Sequence, residues 1–225
     1  MNRADQLIVL HHTKFSEHSL VLHCLSRNSG RKSFLLRSVA SPGRGAGVSM
    51  ACLQPLSVLD AEVTDSPRVR LQTVRNLLPA ENQDSIRRNF GRNASTMFLS
   101  EVLLRSLREE LPDEPLFDWC RTQIRLLGEL DGGAAANFHL CFLTGLCRRL
   151  GFSPDAASVA PFAEGCLEDM NAFLDRDLPQ QLLMPLSGAR RTRMARALLR
   201  FMEYHLDYPL KINSLDILAQ LSAPD

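Results

Sequence analysis

The sequence predicts an α+β protein: a small antiparallel β-barrel over residues 1–78, then an all-helical domain over residues 79–225. Three observations carry this expectation. Apolar residues alternate at period two in the first part and recur at helical spacing from about residue 84. Turn residues cut the first part into short runs. Charge divides at the same place: residues 1–77 hold ten Lys/Arg against five Asp/Glu, a net of +5, and residues 78–225 hold sixteen against twenty, a net of −4. The near-neutral total of +1 conceals that division.

Leu7–His11 is the first strand run. Ser19–Leu25 (SLVLHCL) alternates apolar and polar residues, and Asn28-Ser29-Gly30 closes a hairpin, with glycine placed to take a positive φ. Lys32–Val39 returns as the partner strand. Residues 41–49 (SPGRGAGVS) read as a flexible loop. Leu53–Val63 and Val69–Leu77 are the last two strands, with a turn at Asp65-Ser66-Pro67. Five short antiparallel strands in so few residues fit a closed barrel. The OB-fold is the commonest such barrel, and an SH3-like barrel fits the strand count almost as well.

The helical part begins with Ser95–Leu111, which Pro112-Asp113 stops. Leu116–Leu130 follows, ended by Asp131-Gly132-Gly133. Ala134–Leu150 is apolar nearly all round and is expected to be a central buried helix, ended by Gly151. Phe152–Gly165 reads as an irregular connection. Arg190–Leu206 and Ser214–Leu221 complete the helices.

Composition excludes several classes. A hydrophobic fraction of 45% supports a packed core and argues against disorder. No apolar run reaches the ~18–20 residues of a membrane span, and the N-terminus lacks a signal-peptide pattern, so a cytoplasmic protein with reduced cysteines is expected. The six cysteines (24, 52, 120, 141, 147 and 166) include no C-x-x-C pair, so no metal or other cofactor is expected. His11, His12, His18 and His23 lack ligands at metal spacing and read as strand histidines at a polar surface. No nucleophile–base–acid set emerges, so neither an enzyme nor a small-molecule substrate is expected. Glu109-Glu110 and Asp113-Glu114 read as solvated charge at a helix end. Gly43-x-Gly45-x-Gly47 lacks the Lys-Ser/Thr of a phosphate-binding P-loop and reads as a hairpin loop.

The basic residues of the barrel carry the functional expectation. Arg31, Lys32, Arg37 and Arg44 run from the hairpin into the glycine loop, and Arg68, Arg70 and Arg75 lie on the last strand. Arg68 and Arg70 are two apart and leave one face. Such a surface suits a phosphate backbone; the competing reading is a protein-interaction scaffold whose basic barrel docks an acidic partner. Phe15 and Phe34 are the only aromatics before residue 77, so binding is expected to be mostly electrostatic. In the helical part, Arg193, Arg196 and Arg200 form one basic stripe. Met194, Ala197, Leu198 and Phe201 face away from it.

These segments resemble a known family. Lys14-Phe15-Ser16-Glu17-His18-Ser19-Leu20-Val21, then Gly30, then Leu53-Gln54-Pro55-Leu56, are similar to the N-terminal domain of the RecO family of bacterial recombination mediators. Glu101 in its helix, the corner Leu150-Gly151-Phe152-x-Pro154, and Tyr204-His205 followed by Lys211-Ile212-x-Ser214-Leu215 are similar to the family's helical part. The resemblance covers almost the whole chain in order. It implies an OB-fold followed by helices, in a nucleoid-associated DNA repair protein. It also implies binding of single- and double-stranded DNA, annealing of complementary strands, and partnership with RecR and SSB to load RecA. Many family members hold zinc with four cysteines just after the LGF-x-P corner. Here Ser153–Glu168 contains only Cys166, so no zinc is expected and packing must hold the corner. The acidic, hydrophobic-ended SSB tail that the resemblance implies is expected on the stripe of Arg193, Arg196 and Arg200, with Met194, Leu198 and Phe201 helping to wall a pocket; the alternatives are a solvated stripe and a pocket on the Arg121–Arg125 helix.

Overall fold

A computed structural model describes residues 2–37, 48–64, 71–109 and 111–221. The chain forms two compact units. One comprises Met1–Asp84 with Ser100–Arg125, and the other Ser85–Leu99 with Leu126–Asp225. The helical segment 100–125 therefore belongs with the barrel, although the change of sequence period places the expected boundary at residue 78.

In the first unit, β1 (Asn2–Ser16), β2 (Ser19–Ser26), β3 (Gly30–Arg37), β4 (Val58–Thr64) and β5 (Gln72–Pro79) close a barrel in the order β1-β2-β3-β5-β4. All pairings are antiparallel except β3 with β5. This is the five-stranded Greek-key barrel of the OB-fold. β1 pairs with β4 through Asn2–Ile8 and with β2 through Leu7–Ser16, and a register shift between Val9 and His11 lets one long strand serve both partners. Leu7, Val9, Leu20, Leu22, Cys24, Phe34, Leu36, Leu59, Val63 and Val74 fill the interior at alternate positions. Ile8, Leu10, Leu25 and Leu35 are buried as well, so these strands are covered on both faces. The expected strand from Leu53 starts later. Met50–Leu53 is a 3-10 turn and Leu56 takes φ 59°, so the chain becomes extended only at Val58.

Two devices fix the β2–β3 hairpin. The buried carboxylate of Asp5 accepts from Ser26 Oγ (2.7 Å), Gln6 N (2.8 Å) and Asn28 Nδ2 (3.0 Å). Gly30 takes φ +68°, as the turn requires, and a Cβ there would collide with the backbone of Leu111.

Among the described residues α-helices follow: α1 (Asp84–Arg87), α2 (Phe90–Ser106), α3 (Glu114–Glu129), α4 (Gly132–Ala135), α5 (Phe138–Arg149), α6 (Ala156–Val159), α7 (Leu167–Leu174), α8 (Leu178–Leu183), α9 (Gly188–Leu206) and α10 (Ser214–Leu221). In the second unit α5 is the central helix, with Phe138–Thr144, Leu146 and Cys147 buried. Its end is a Schellman motif: Gly151 takes φ +93°, its N–H donates to Arg148 O (3.3 Å), and Phe152 N–H donates to Cys147 O (3.1 Å). Phe152 then stacks on His205 at 4.9 Å. Asn137 donates to the carbonyls of Gln181 (3.0 Å) and Met184 (2.7 Å), tying the start of α5 to the end of α8. No helix among the described residues is long and apolar enough to cross a membrane.

Candidate nucleic-acid interface

The sequence places seven cations on one barrel surface. Arg44, Arg68 and Arg70 lie outside the described residues, as do the core of the glycine loop and the Asp65-Ser66-Pro67 turn. Arg31 does not belong to an open surface. Its Nε–H donates to Leu107 O (2.7 Å), its guanidinium pairs with Glu109 (3.0 Å), and its side chain is only 18% exposed. Arg31 is a latch between β3 and the end of α2, because β3 runs beside that helix end and one carboxylate and one carbonyl there accept from it. Arg27 does the same with Glu114 (2.6 Å) and Asp118 (3.1 Å) on α3. Glu109 and Glu114, largely exposed, are thus also ion-pair partners of the barrel, whereas Asp113 accepts from Leu116 N–H (2.8 Å). Lys32 is half-buried and has an interaction of its own.

Arg37 is different. It is exposed at the end of β3, with no ion pair among the described residues. Ser16 pairs with Ser19 and Ser19 with Arg37, and β3 and β5 run parallel with Leu36 beside Val74. One further step in that register sets Arg37 beside Arg75, so four strands bring the β1–β2 hairpin, Arg37 and Arg75 to one rim. Arg75 pairs with Glu62 at 3.0 Å in a largely exposed bridge. Such a surface pair is weak and yields readily to a phosphate. Asn76 and Arg75 hold the Glu62 carboxyl below its ordinary range by hydrogen bonding, in that order. A groove of about 640 Å³ opens at this rim, lined by Leu36, Arg37, Cys52, Val74, Arg75 and Leu77 among others.

Sequence reasoning missed the hairpin tip. Phe34 lies in the core, but Phe15 is 62% exposed, beside exposed Lys14 and His18. An aromatic next to a lysine at the end of a strand was the available signal, and the general rule that apolar residues turn inward masked it. The histidines form a cross-strand stack: His11 lies 6.1 Å from His12 and 5.9 Å from His23, and His23 Nδ1 bonds Ser33 Oγ at 2.8 Å. Burial, aided by neighbouring positive charge, pushes the pKa of both His11 and His23 down.

On α9, Arg193, Arg196 and Arg200 are exposed, and Arg196 pairs with Asp216 at 2.9 Å. Met194, Leu198 and Phe201 are 0–1% exposed. They cannot wall an open pocket, because the apolar stripe that set them opposite the arginines also sets them in the core. Accessible apolar surface beside the stripe comes instead from Tyr204, exposed and 5.6 Å from Phe162.

The residues after the Phe152 corner do not fit zinc. Among the described residues no three His, Cys, Asp or Glu gather to hold a metal. Cys166 is buried, and burial pushes its thiol pKa up. A capping box holds this segment: Asp155 accepts from Ala157 N (3.0 Å) and Ser158 N (2.8 Å), while Ser158 Oγ accepts from Asp155 N.

Comparison with known proteins places these features in a family. The model of the recombination protein O N terminal domain matches residues 1–82, and that of the C terminal domain matches residues 87–161. The chain is similar to the DNA repair protein RecO of Flavobacterium johnsoniae, 30% identical over 98% of this chain and 99% of the relative. It is also similar to the proteins of the same name from Bacteroides fragilis (31% identical) and Phocaeicola vulgatus (29%), each over 95% of this chain and 96% of the relative.

Proposed function

Because this chain belongs to the RecO family, whose relatives are DNA repair proteins, we propose that it is a recombination mediator that binds single- and double-stranded DNA through one rim of its barrel. It anneals complementary strands and, with RecR, helps load RecA onto SSB-coated single strands at the bacterial nucleoid. The work is binding, with no covalent step. The single observation that carries the DNA reading is the rim itself: exposed Lys14 and Phe15, Arg37 with no ion pair among the described residues, and weakly paired Arg75 beside a groove. Arg44, Arg68 and Arg70 adjoin that rim in sequence and complete the phosphate contacts. Phe15 supplies a stacking surface for a base. The acidic SSB tail meets Arg193 and Arg200, and its hydrophobic end meets Phe162 and Tyr204.

Six contacts, from Lys14, Arg37, Arg44, Arg68, Arg70 and Arg75, give a slope of log affinity on log salt of about −4 to −5. Fluorescence anisotropy of a labelled mixed-sequence strand at several salt concentrations measures it. Replacing Arg37 and Arg75 together by alanine should flatten the slope by about 1.4–1.8. An isotherm and slope unchanged from the parent protein would remove the rim from the interface.

A further inference from the structure

The helical unit holds a second set of arginines that the DNA reading does not use. A cavity of about 300 Å³ is lined by Asn89 and Arg92 at the start of α2, Gly132 and Ala135 of α4, Arg191 of α9 and Leu218 of α10. Among the described residues both guanidinium groups are tied only to backbone carbonyls. Arg92 donates to Gly128 O (3.0 Å), Ser85 O (3.4 Å) and Leu130 O, and Arg191 donates to Leu186 O. Neither meets a carboxylate among the described residues, and the Nε–H of each is buried without an acceptor. Asn89, exposed, accepts from Arg92 N–H through Oδ1 (3.0 Å), and among the described residues its amide N–H groups meet no protein acceptor. A Cβ built on Gly132 meets nothing within 4 Å, so the space is open.

We infer that this cavity binds a phosphate-class oxyanion between Arg92 and Arg191, with Asn89 as a third donor. Two guanidinium groups facing one cavity repel each other, and an anion offsets both. A carboxylate brings a single charge, whereas a phosphate monoester brings about −1.5 to −2 at neutral pH and three acceptor oxygens. Guanidinium forks match that geometry. Partial burial lowers the pKa of Arg191, in keeping with a cation that lacks a counter-charge. The site lies in the helical unit, so it stands or falls independently of the barrel rim.

The test is thermal unfolding of the full chain with inorganic phosphate, against chloride at matched ionic strength. Phosphate should raise the midpoint, and Arg191→Gln should weaken apparent phosphate affinity by about tenfold or more. Ala135→Glu guards against a variant that merely misfolds. Its carboxylate occupies the anion position, so the midpoint should rise without phosphate and phosphate should add nothing. A second arm compares a short 5′-phosphorylated oligonucleotide with its unphosphorylated twin. Extra protection by the phosphorylated strand assigns a nucleic-acid end as the source, and protection by inorganic phosphate alone assigns a free anion; either upholds the site. Phosphate acting no more than chloride, or Ala135→Glu responding like the parent protein, would overturn it.

Discussion

Acidification should destabilise the helical unit through His139. This imidazole is fully buried in α5, edge-on to Phe98 with ring centroids 6.1 Å apart. Burial, and then the positive charge of Arg191, push its pKa down to about 3, against a smaller opposing hydrogen bond with the Ala136 backbone. The unfolded chain holds the same group near 6.5. Above pH 6.5 both states are neutral and nothing is lost. As pH falls below 6.5 the unfolded state binds a proton that the folded state refuses, and stability drops by about 1.4 kcal/mol per unit. From pH 6.5 to 4.5 the loss is about 2.3 kcal/mol. It levels off near pH 3, where the folded protein also protonates. Against a typical total of about 5–15 kcal/mol, such a loss is large. His11 and His23, also lowered, act in the same direction, so the measurement must be a difference. Urea unfolding followed by circular dichroism at pH 7.0, 6.0, 5.0 and 4.5 should be run on the parent protein and on His139→Gln, which stays neutral throughout. The stability of the parent relative to the variant should fall by about 2–3 kcal/mol across that series. Parallel curves would mean that His139 is protonated in the fold or open to water, and the argument would fail.

Two further outcomes follow from the barrel. Asp5→Ala leaves Ser26, Asn28 and the Gln6 N–H without their buried acceptor, and should cost about 2–4 kcal/mol in urea unfolding; a loss below about 1 kcal/mol would show that the hairpin is held by other means. Arg31→Ala should cost about 1–2 kcal/mol of stability and leave the DNA isotherm unchanged. A matching loss of DNA affinity in the folded variant would return Arg31 to the phosphate-binding surface.

The strands and long helices were legible because their apolar period reports which face is buried, and that depends on local spacing. The central position of α5 follows from Phe138–Cys147, where almost every residue is apolar. Short elements carry no such signal. α6, α7 and α8 have four, eight and six residues, too few to form alone. Local caps such as Asp155 and Asp177 and the packing around them sustain these turns. The length of β1 was hidden for another reason. Its outer half, from His11 to Ser16, is exposed or half-buried, and its pairing with β2 rather than burial holds it extended.

The basic excess of the barrel was legible in the sequence, and the partners of its cations were not. Counting residues finds ten cations in the first 77 positions, but it cannot say which are already engaged. The answer depends on carboxylates far along the chain: Glu109 is 78 residues from Arg31, and Asp118 is 91 from Arg27. Both acids sit in the helical segment 100–125, which folds into the barrel's own unit. The acidic excess of the later sequence therefore acts partly inside that unit, where it neutralises the cations along β2 and β3. Among the described residues, Lys14 on β1 and Arg37 at the far end of β3 have no such ion-pair partner, and Arg75 has only an exposed one. A charge distributed evenly over the barrel would attract DNA from any direction and fix no orientation. Pairing Arg27 and Arg31 while leaving Arg37 exposed is what favours, under the proposed function, the rim where Phe15 is exposed. Net charge thus overstates how many cations of this barrel are open to a ligand, and under the proposed function the rim around Arg37 and Arg75 is where phosphates would be held.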